Sequence, residues 1–302
     1  MRAATLVKGR IDHGGPNMRM RKLTAKDVKD LDVKTALRAE CAFQRSLVPP
    51  DPFTGLIEGR EEGFTKLVET QLRDGLRPTQ ALDVIVRKPG RGTRPVGVLH
   101  PVDRIAFRAL TDRVLAGQAP LDRSSNAYRE FARAPLDTWR QIVGDDEQGF
   151  SRTPGNHDGY VVVSDLVAFY QYIDHAELRK VLVRRTGDVE AIDDLIALVE
   201  SVQGRRFGLP QILHSSDRLS DISGGSIEDV VRLDGYRVSR FNDDFRILVD
   251  GYASALRAVD ALGEAARRVG LLLNEAKTYT PRLSTYPRRA VGYAHGRRCC
   301  DG

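Results

Sequence analysis

The segment "SRFNDDFRILVDG" at 239–251 sets Asp243 and Asp244 side by side in a stretch that otherwise reads as half-buried strand. Val238, Phe241, Phe245, Ile247 and Val249 alternate well enough for two short antiparallel strands, and the intervening Asn-Asp is ordinary hairpin chemistry. Neighbouring ionised carboxylates repel, and desolvating them without a partner costs several kcal/mol or more. The pair therefore lies either in a solvated turn or beside something positive. That choice depends on what else the chain carries.

With 302 residues, 41% of them apolar, the chain can bury a substantial core as one large domain or two subdomains. Its 47 Lys and Arg against 41 Asp and Glu give a formal charge of +6, which suits a polyanionic partner but also many ordinary proteins. Cys41, Cys299 and Cys300 have neither metal-ligand spacing nor an even-numbered framework, which points to a reduced, cytoplasmic protein. No apolar run approaches the roughly 20 residues that span a bilayer, and the N-terminus lacks a signal-peptide apolar core. No membrane partner is expected.

Residues 1–22 are basic and glycine-containing, and are expected to be disordered. Helical spacing predicts one helix from Thr24 to about Leu47, stopped by the prolines at 49, 50 and 52, and a second from about Glu58 to Arg73. "ALDVIVRKPGRGTRPVGVLH" reads as two strands around a glycine-rich basic turn, followed by a helix from Asp103 to about Leu115. Between Gly117 and Gly159 only one helix, near 137–143, is legible. "GYVVVSDLVAF" then has buried-strand character, and "HAELRKVLVRR" and "VEAIDDLIALVES" carry helical spacing. A helix at about 216–231, the acidic hairpin, a helix from Tyr252 to Val269 and a strand "GLLLN" complete an α+β layout, with helices over one face of a largely antiparallel sheet.

Asp165 ends the apolar run "YVVVS", where a buried strand rarely tolerates a charge; by itself it reads equally well as a strand-end cap. Taken with Asp243 and Asp244, it suggests two divalent ions held by carboxylates from separate strands. Such ions absorb the repulsion and serve phosphoryl transfer, one activating an attacking 3′ oxygen and the other steadying the leaving pyrophosphate.

"DLVAFYQYIDHAEL" from Asp165, "GLPQILHSSDRLSDI" from Gly208, "FNDD" from Phe241 and "GLLLNEAKT" from Gly270 resemble successive palm motifs of reverse transcriptases, in the right order. Upstream, "RKPGRGTRPVGVLHPVDRIAFRAL" is similar to the fingers segment of the same enzymes. The resemblance covers roughly residues 82–280 and implies a right-hand polymerase: N-terminal helices and fingers at 23–159, palm at 160–295 and a tail at 296–302. It implies magnesium, with manganese as a substitute, and deoxynucleoside triphosphates. An RNA template and a DNA or protein primer would be the partners.

Carried over by position, Asp165 and Asp243 are the principal metal ligands and Asp244 the second acid of the pair. Tyr170 matches the ring that excludes a ribose 2′-hydroxyl, Gln211 the nucleotide-contacting glutamine, Lys88 and Arg94 the triphosphate-binding fingers residues, and Lys277 the donor of a proton to pyrophosphate. Ile212 stands where the family's glycine follows the glutamine, and Asp217 where a proline is usual, a loosened form closest to abortive-infection and other bacterial defence enzymes. Val291, Gly292 and Tyr293 resemble the start of a primer grip, but only 25 residues follow Lys277. A thumb is therefore not expected within this chain, and a non-coding RNA or partner protein would take its place. The competing expectations are a group II intron or retroelement polymerase and an inactive nucleic-acid-binding remnant.

Overall fold

The computed structural model describes residues 19–43, 55, 57–87, 92–143 and 159–286. In chain order its elements are α1 (Ala25–Asp30), α2 (Val33–Ala42), α3 (Glu61–Asp74), β1 (Leu82–Arg87), β2 (Thr93–Val98), α4 (Pro101–Val114) and α5 (Ser125–Val143). Then come β3 (Tyr160–Asp165), α6 (Phe169–Tyr172), α7 (His175–Thr186), α8 (Val189–Gln203), α9 (His214–Leu233), β4 (Arg237–Phe241), β5 (Asp244–Val249) and α10 (Tyr252–Arg268). The class is α+β, with one two-stranded and one three-stranded antiparallel sheet among the described residues rather than a single larger one. Two compact units form, each from two stretches of chain: Met1–Ala119 with Tyr170–Ile222, and Pro120–Phe169 with Ser223–Gly302.

In the first unit the helix expected from Thr24 to Leu47 is instead two. Thr24 and Asp27 form a reciprocal capping box at the start of α1. Asp32 then takes a left-handed backbone (φ 42°) and accepts from the Thr35 N–H, opening α2. A short acid that can cap competes successfully with continuation of the helix. Order also begins earlier than residue 23: the Met20 N–H donates to the Leu76 carbonyl at 2.9 Å, and Met20 is buried. Arg21 makes a forked pair with Asp194 on α8, both contacts at 2.8 Å. Pro101 starts α4, where its missing N–H costs nothing. This helix is buried almost all round, packs on α2 and α8, and carries Arg104 into the interior to meet Glu40 at 2.6 Å.

In the second unit β5 lies between β3 and β4, α5 and α10 pack against it, and its "FRILV" reads as a near-continuous buried run. Val161, Val163 and Leu248 pack with Leu283 and Tyr286, and Leu136 and Trp139 of α5 close over them. That packing explains why α5 runs for 19 residues where the sequence shows helix only at 137–143. Pro135 removes one N–H from the helix interior, and burial of Phe131 against the sheet offsets the loss.

The expected strand "GLLLN" is not one: it runs beside β3 through a single bridge, Leu166 to Leu273, and the Val167 N–H donates to Leu272 at 2.9 Å. Continuing bonds from Val163 to Tyr279 bracket a 3-10 turn at Glu275–Lys277, which aims that turn at the end of β3. Among the described residues no helix is long and apolar enough to cross a membrane.

Candidate functional site

The register of β4 and β5 pairs Phe241 with Asp244, leaving Asn242 and Asp243 as a two-residue hairpin turn. Asn242 sits at φ 60°, a positive value that Asn tolerates better than most side chains. Its Nδ2 donates to Asp243 Oδ1 at 2.8 Å, and Arg240 Nη1 donates to its carbonyl at 3.0 Å. The Leu166 N–H then reaches the Asp243 carbonyl at 3.2 Å, tying the turn to the end of β3. Because β3 and β5 pair Asp165 directly with Asp244, the third carboxylate arrives at the same edge. Asp243 thus stands in the turn and Asp244 opens β5, with the Lys277 ammonium as a positive group near them.

Asp165 is buried, and one of its oxygens, Oδ2, accepts from Lys277 Nζ at 2.5 Å and from Asn274 Nδ2 at 3.3 Å. The Asn274 N–H also donates to the Asp165 carbonyl at 2.7 Å. Burial pushes the Asp243 carboxyl up to about 7, and the neighbouring charges of Asp165 and Asp244 push in the same direction. For Lys277, burial acts to lower the pKa, but the bond to Asp165 and the charges of all three carboxylates outweigh it and raise the net value. The lysine thus stays a cation beside a cluster whose middle member holds its proton to near neutrality.

Among the described residues no group of three or more His, Cys, Asp or Glu side chains already stands as a metal cage. The donor chemistry nevertheless fits magnesium, which prefers hard oxygens and is commonly held by one or two carboxylates with substrate phosphates completing the shell. Asp165 and Asp243 are the pair that would hold it, with Asp244 adjoining.

The other expected site residues belong to the first unit. Tyr170 Oη donates to Asp217 Oδ1 at 2.6 Å. Gly208 takes φ +87°, and a Cβ there would lie 2.9 Å from the Gln171 carbonyl oxygen. Backbone bonds from Gly208 to Ile173 at 2.8 Å and from Leu209 to Tyr170 at 2.7 Å fix the turn that carries Gln211. Gln211 lines a pocket of ≈ 290 Å³ with Pro210, Phe207, Tyr172 and Gly97. Arg94 is half-buried on β2; Lys88, Val291–Tyr293, Cys299 and Cys300 lie outside the described residues.

Ile212 has φ 64°, a left-handed conformation that strains a β-branched side chain and that a glycine would adopt freely. Ile212→Gly is expected to leave the melting temperature unchanged or raise it despite the lost side chain, because about 1–2 kcal/mol of strain is relieved. Calorimetry of the two proteins checks this; a clear drop would show that the side chain's packing outweighs the strain.

Sequence reasoning overlooked Asn242 and Asn274, the amides that hold Asp243 and Asp165. The one available signal was position: Asn274 stands three residues before Lys277, in the spacing of a turn that returns both to one point. No family model matches the chain, and a search of curated proteins finds no match to its sequence.

Proposed function

We propose that this chain is a nucleotidyltransferase of the reverse-transcriptase kind, adding deoxynucleotides to a primer 3′ end in bacterial antiviral defence. The observation that supports this most is the convergence of Asp165, Asp243 and Asp244 at one edge of a buried sheet, where they crowd enough to hold a proton on Asp243 near neutral pH. Clustering negative charge at that cost is expected where a divalent cation is to be bound. Divalent cations held there would supply Lewis-acid stabilisation of the attacking and leaving oxygens. Asp243 would have to be ionised to hold such a cation, so binding would weaken below about pH 7. Lys277, kept charged by Asp165, carries a proton for the leaving pyrophosphate.

The decisive experiment offers the purified chain a primer on an RNA template, with labelled deoxynucleotides and magnesium. Incorporation that chelation abolishes supports the reading; its absence, with no magnesium binding by calorimetry, overturns it. Tyr170→Ala is expected to raise ribonucleotide relative to deoxynucleotide incorporation by about tenfold or more, while Tyr170→Phe, which keeps the ring, leaves the ratio alone. Paired triphosphates in competition measure that ratio, and equal losses with both sugars would make Tyr170 a packing residue.

One observation favours a second reading. Lys277 already occupies Asp165 Oδ2, and an ammonium can substitute for a metal as the counter-charge. A nucleic-acid-binding remnant stabilised in this way would bind a primer–template duplex yet incorporate nothing.

A further inference from the structure

The second unit holds a cavity of ≈ 300 Å³ that none of Asp165, Asp243, Asp244 or Lys277 lines. Its lining includes Arg232, Arg237 and Arg246 with Thr138, Tyr236 and Ser239, and no Asp or Glu. Arg246 is only 7% exposed. It sits on β5 opposite Val163, on the side covered by α5, with its guanidinium 4.9 Å from the Phe131 ring centroid. Nη1 donates to the Phe245 carbonyl at 2.8 Å, and the side chain also bonds the Tyr286 hydroxyl, which itself donates to Ala132. Nε is buried with no hydrogen-bond partner among the described residues.

These partners are a carbonyl, a phenol and a ring, none of them anionic. A guanidinium withdrawn from water costs several kcal/mol unless a negative charge compensates it. The fold positions Arg246 firmly and leaves that charge to be supplied. At the same cavity Arg237 is exposed, and the exposed Arg232 pairs with Glu228 at 2.6 Å and stands 3.7 Å from Asp229, so an arriving anion would share it with these carboxylates. Planar guanidinium forks match phosphate oxygens, and neighbouring hydroxyls provide the remaining donors.

We propose that this cavity binds the phosphoryl group of a small phosphorylated molecule, Arg246 supplying the fixed buried charge and Arg232 and Arg237 closing on the remaining oxygens. The burial of Arg246 argues for a small ligand that enters the cavity over a nucleic-acid backbone, which would meet only the exposed arginines. Free phosphate, pyrophosphate and a nucleoside monophosphate share this chemistry. The site is independent of the carboxylate cluster and does not rest on the proposed polymerase activity.

The test uses the full chain in chelator, so that no divalent cation contributes, and measures melting temperature and calorimetric binding with inorganic phosphate, pyrophosphate and a deoxynucleoside monophosphate. Sodium chloride at matched ionic strength is the control. Phosphate-specific stabilisation is expected, and the order of affinity among the three identifies the source. Arg232→Ser with Arg237→Ser should weaken binding about tenfold or more while leaving the fold intact. Arg246→Leu should lose the phosphate response yet melt no lower than the parent in phosphate-free buffer, because it removes an uncompensated charge. The surface double variant keeps the test decisive if Arg246→Leu does not fold.

Asp243→Asn should bind phosphate as the parent does, so failure of the polymerase reading leaves this result standing. Equal stabilisation by chloride, or parental affinity in the double variant, overturns the proposal. An oligonucleotide that displaces phosphate through the same arginines overturns it in favour of backbone binding.

Discussion

Asp243→Asn is expected to cut nucleotide incorporation by at least about a hundredfold while raising the melting temperature above neutral pH. The loss of activity follows from removing a charged oxygen donor at which no neutral amide binds a divalent cation comparably. The gain in stability follows from proton linkage. The Asp243 carboxyl is raised in the folded chain from 3.8 to about 7, so between those values the folded state holds a proton that the unfolded state has released. Its contribution is fully present below about pH 4 and is lost as pH rises through about 7. An amide has no such titration. The parent and variant melting curves should therefore separate progressively above pH 4, by about 2–4 °C for each kcal/mol of repulsion relieved. Magnesium should narrow the gap by stabilising the parent alone. Parallel curves across pH 4–9 would mean that Asp243 is not burdened by its neighbours, and incorporation near the parental rate would remove it from the site.

Glu40→Ala should destabilise the first unit by about 3–5 kcal/mol, a large share of the roughly 5–15 kcal/mol that ordinarily holds a domain folded. Glu40 is buried, with Oε1 2.6 Å from Arg104 Nε and Oε2 3.5 Å from Arg108 Nη1. Arg104 Nη2 also donates to the Glu40 backbone carbonyl at 3.3 Å. Truncation removes both carboxylate oxygens and leaves a cavity beside the buried Arg104 guanidinium, whereas Arg108 retains Asp112 at 2.6 Å. Replacing Glu40 and Arg104 together by leucine should recover most of the loss, since the penalty lies in the stranded charge rather than in the missing pair. Denaturant titration of the single and double variants separates the two. A cost below about 1 kcal/mol for Glu40→Ala would show that water reaches Arg104 in solution.

The hairpin, α7, α8 and α10 were legible because their apolar spacing is decided locally. Elements whose existence depends on distant partners were not. The length of α5 is set by Phe131 and Trp139 meeting a sheet formed by other parts of the chain, and nothing in its own mixed pattern announces this. "GLLLN" has ideal strand composition yet makes only a single bridge, since the chain turns at Glu275–Lys277 before a ladder can extend beside β3. At the candidate site the carboxylates and Lys277 could be picked out by residue type and position. Asn242 and Asn274 could not, because an asparagine that holds a carboxylate looks in sequence like any turn asparagine.

The division of each unit between two stretches of chain has a consequence during synthesis. β3 is complete once residue 165 is made, but its strand partner among the described residues, β5, begins at residue 244. At about 5–20 residues per second the nascent chain carries an apolar strand with unsatisfied edges for on the order of ten seconds. The first unit meanwhile cannot close until residue 222 has emerged. Expression yield should thus depend on chaperone supply and on slow growth temperature more than on equilibrium stability. Splitting the gene at 119/120 or 169/170 should give insoluble halves rather than separable domains.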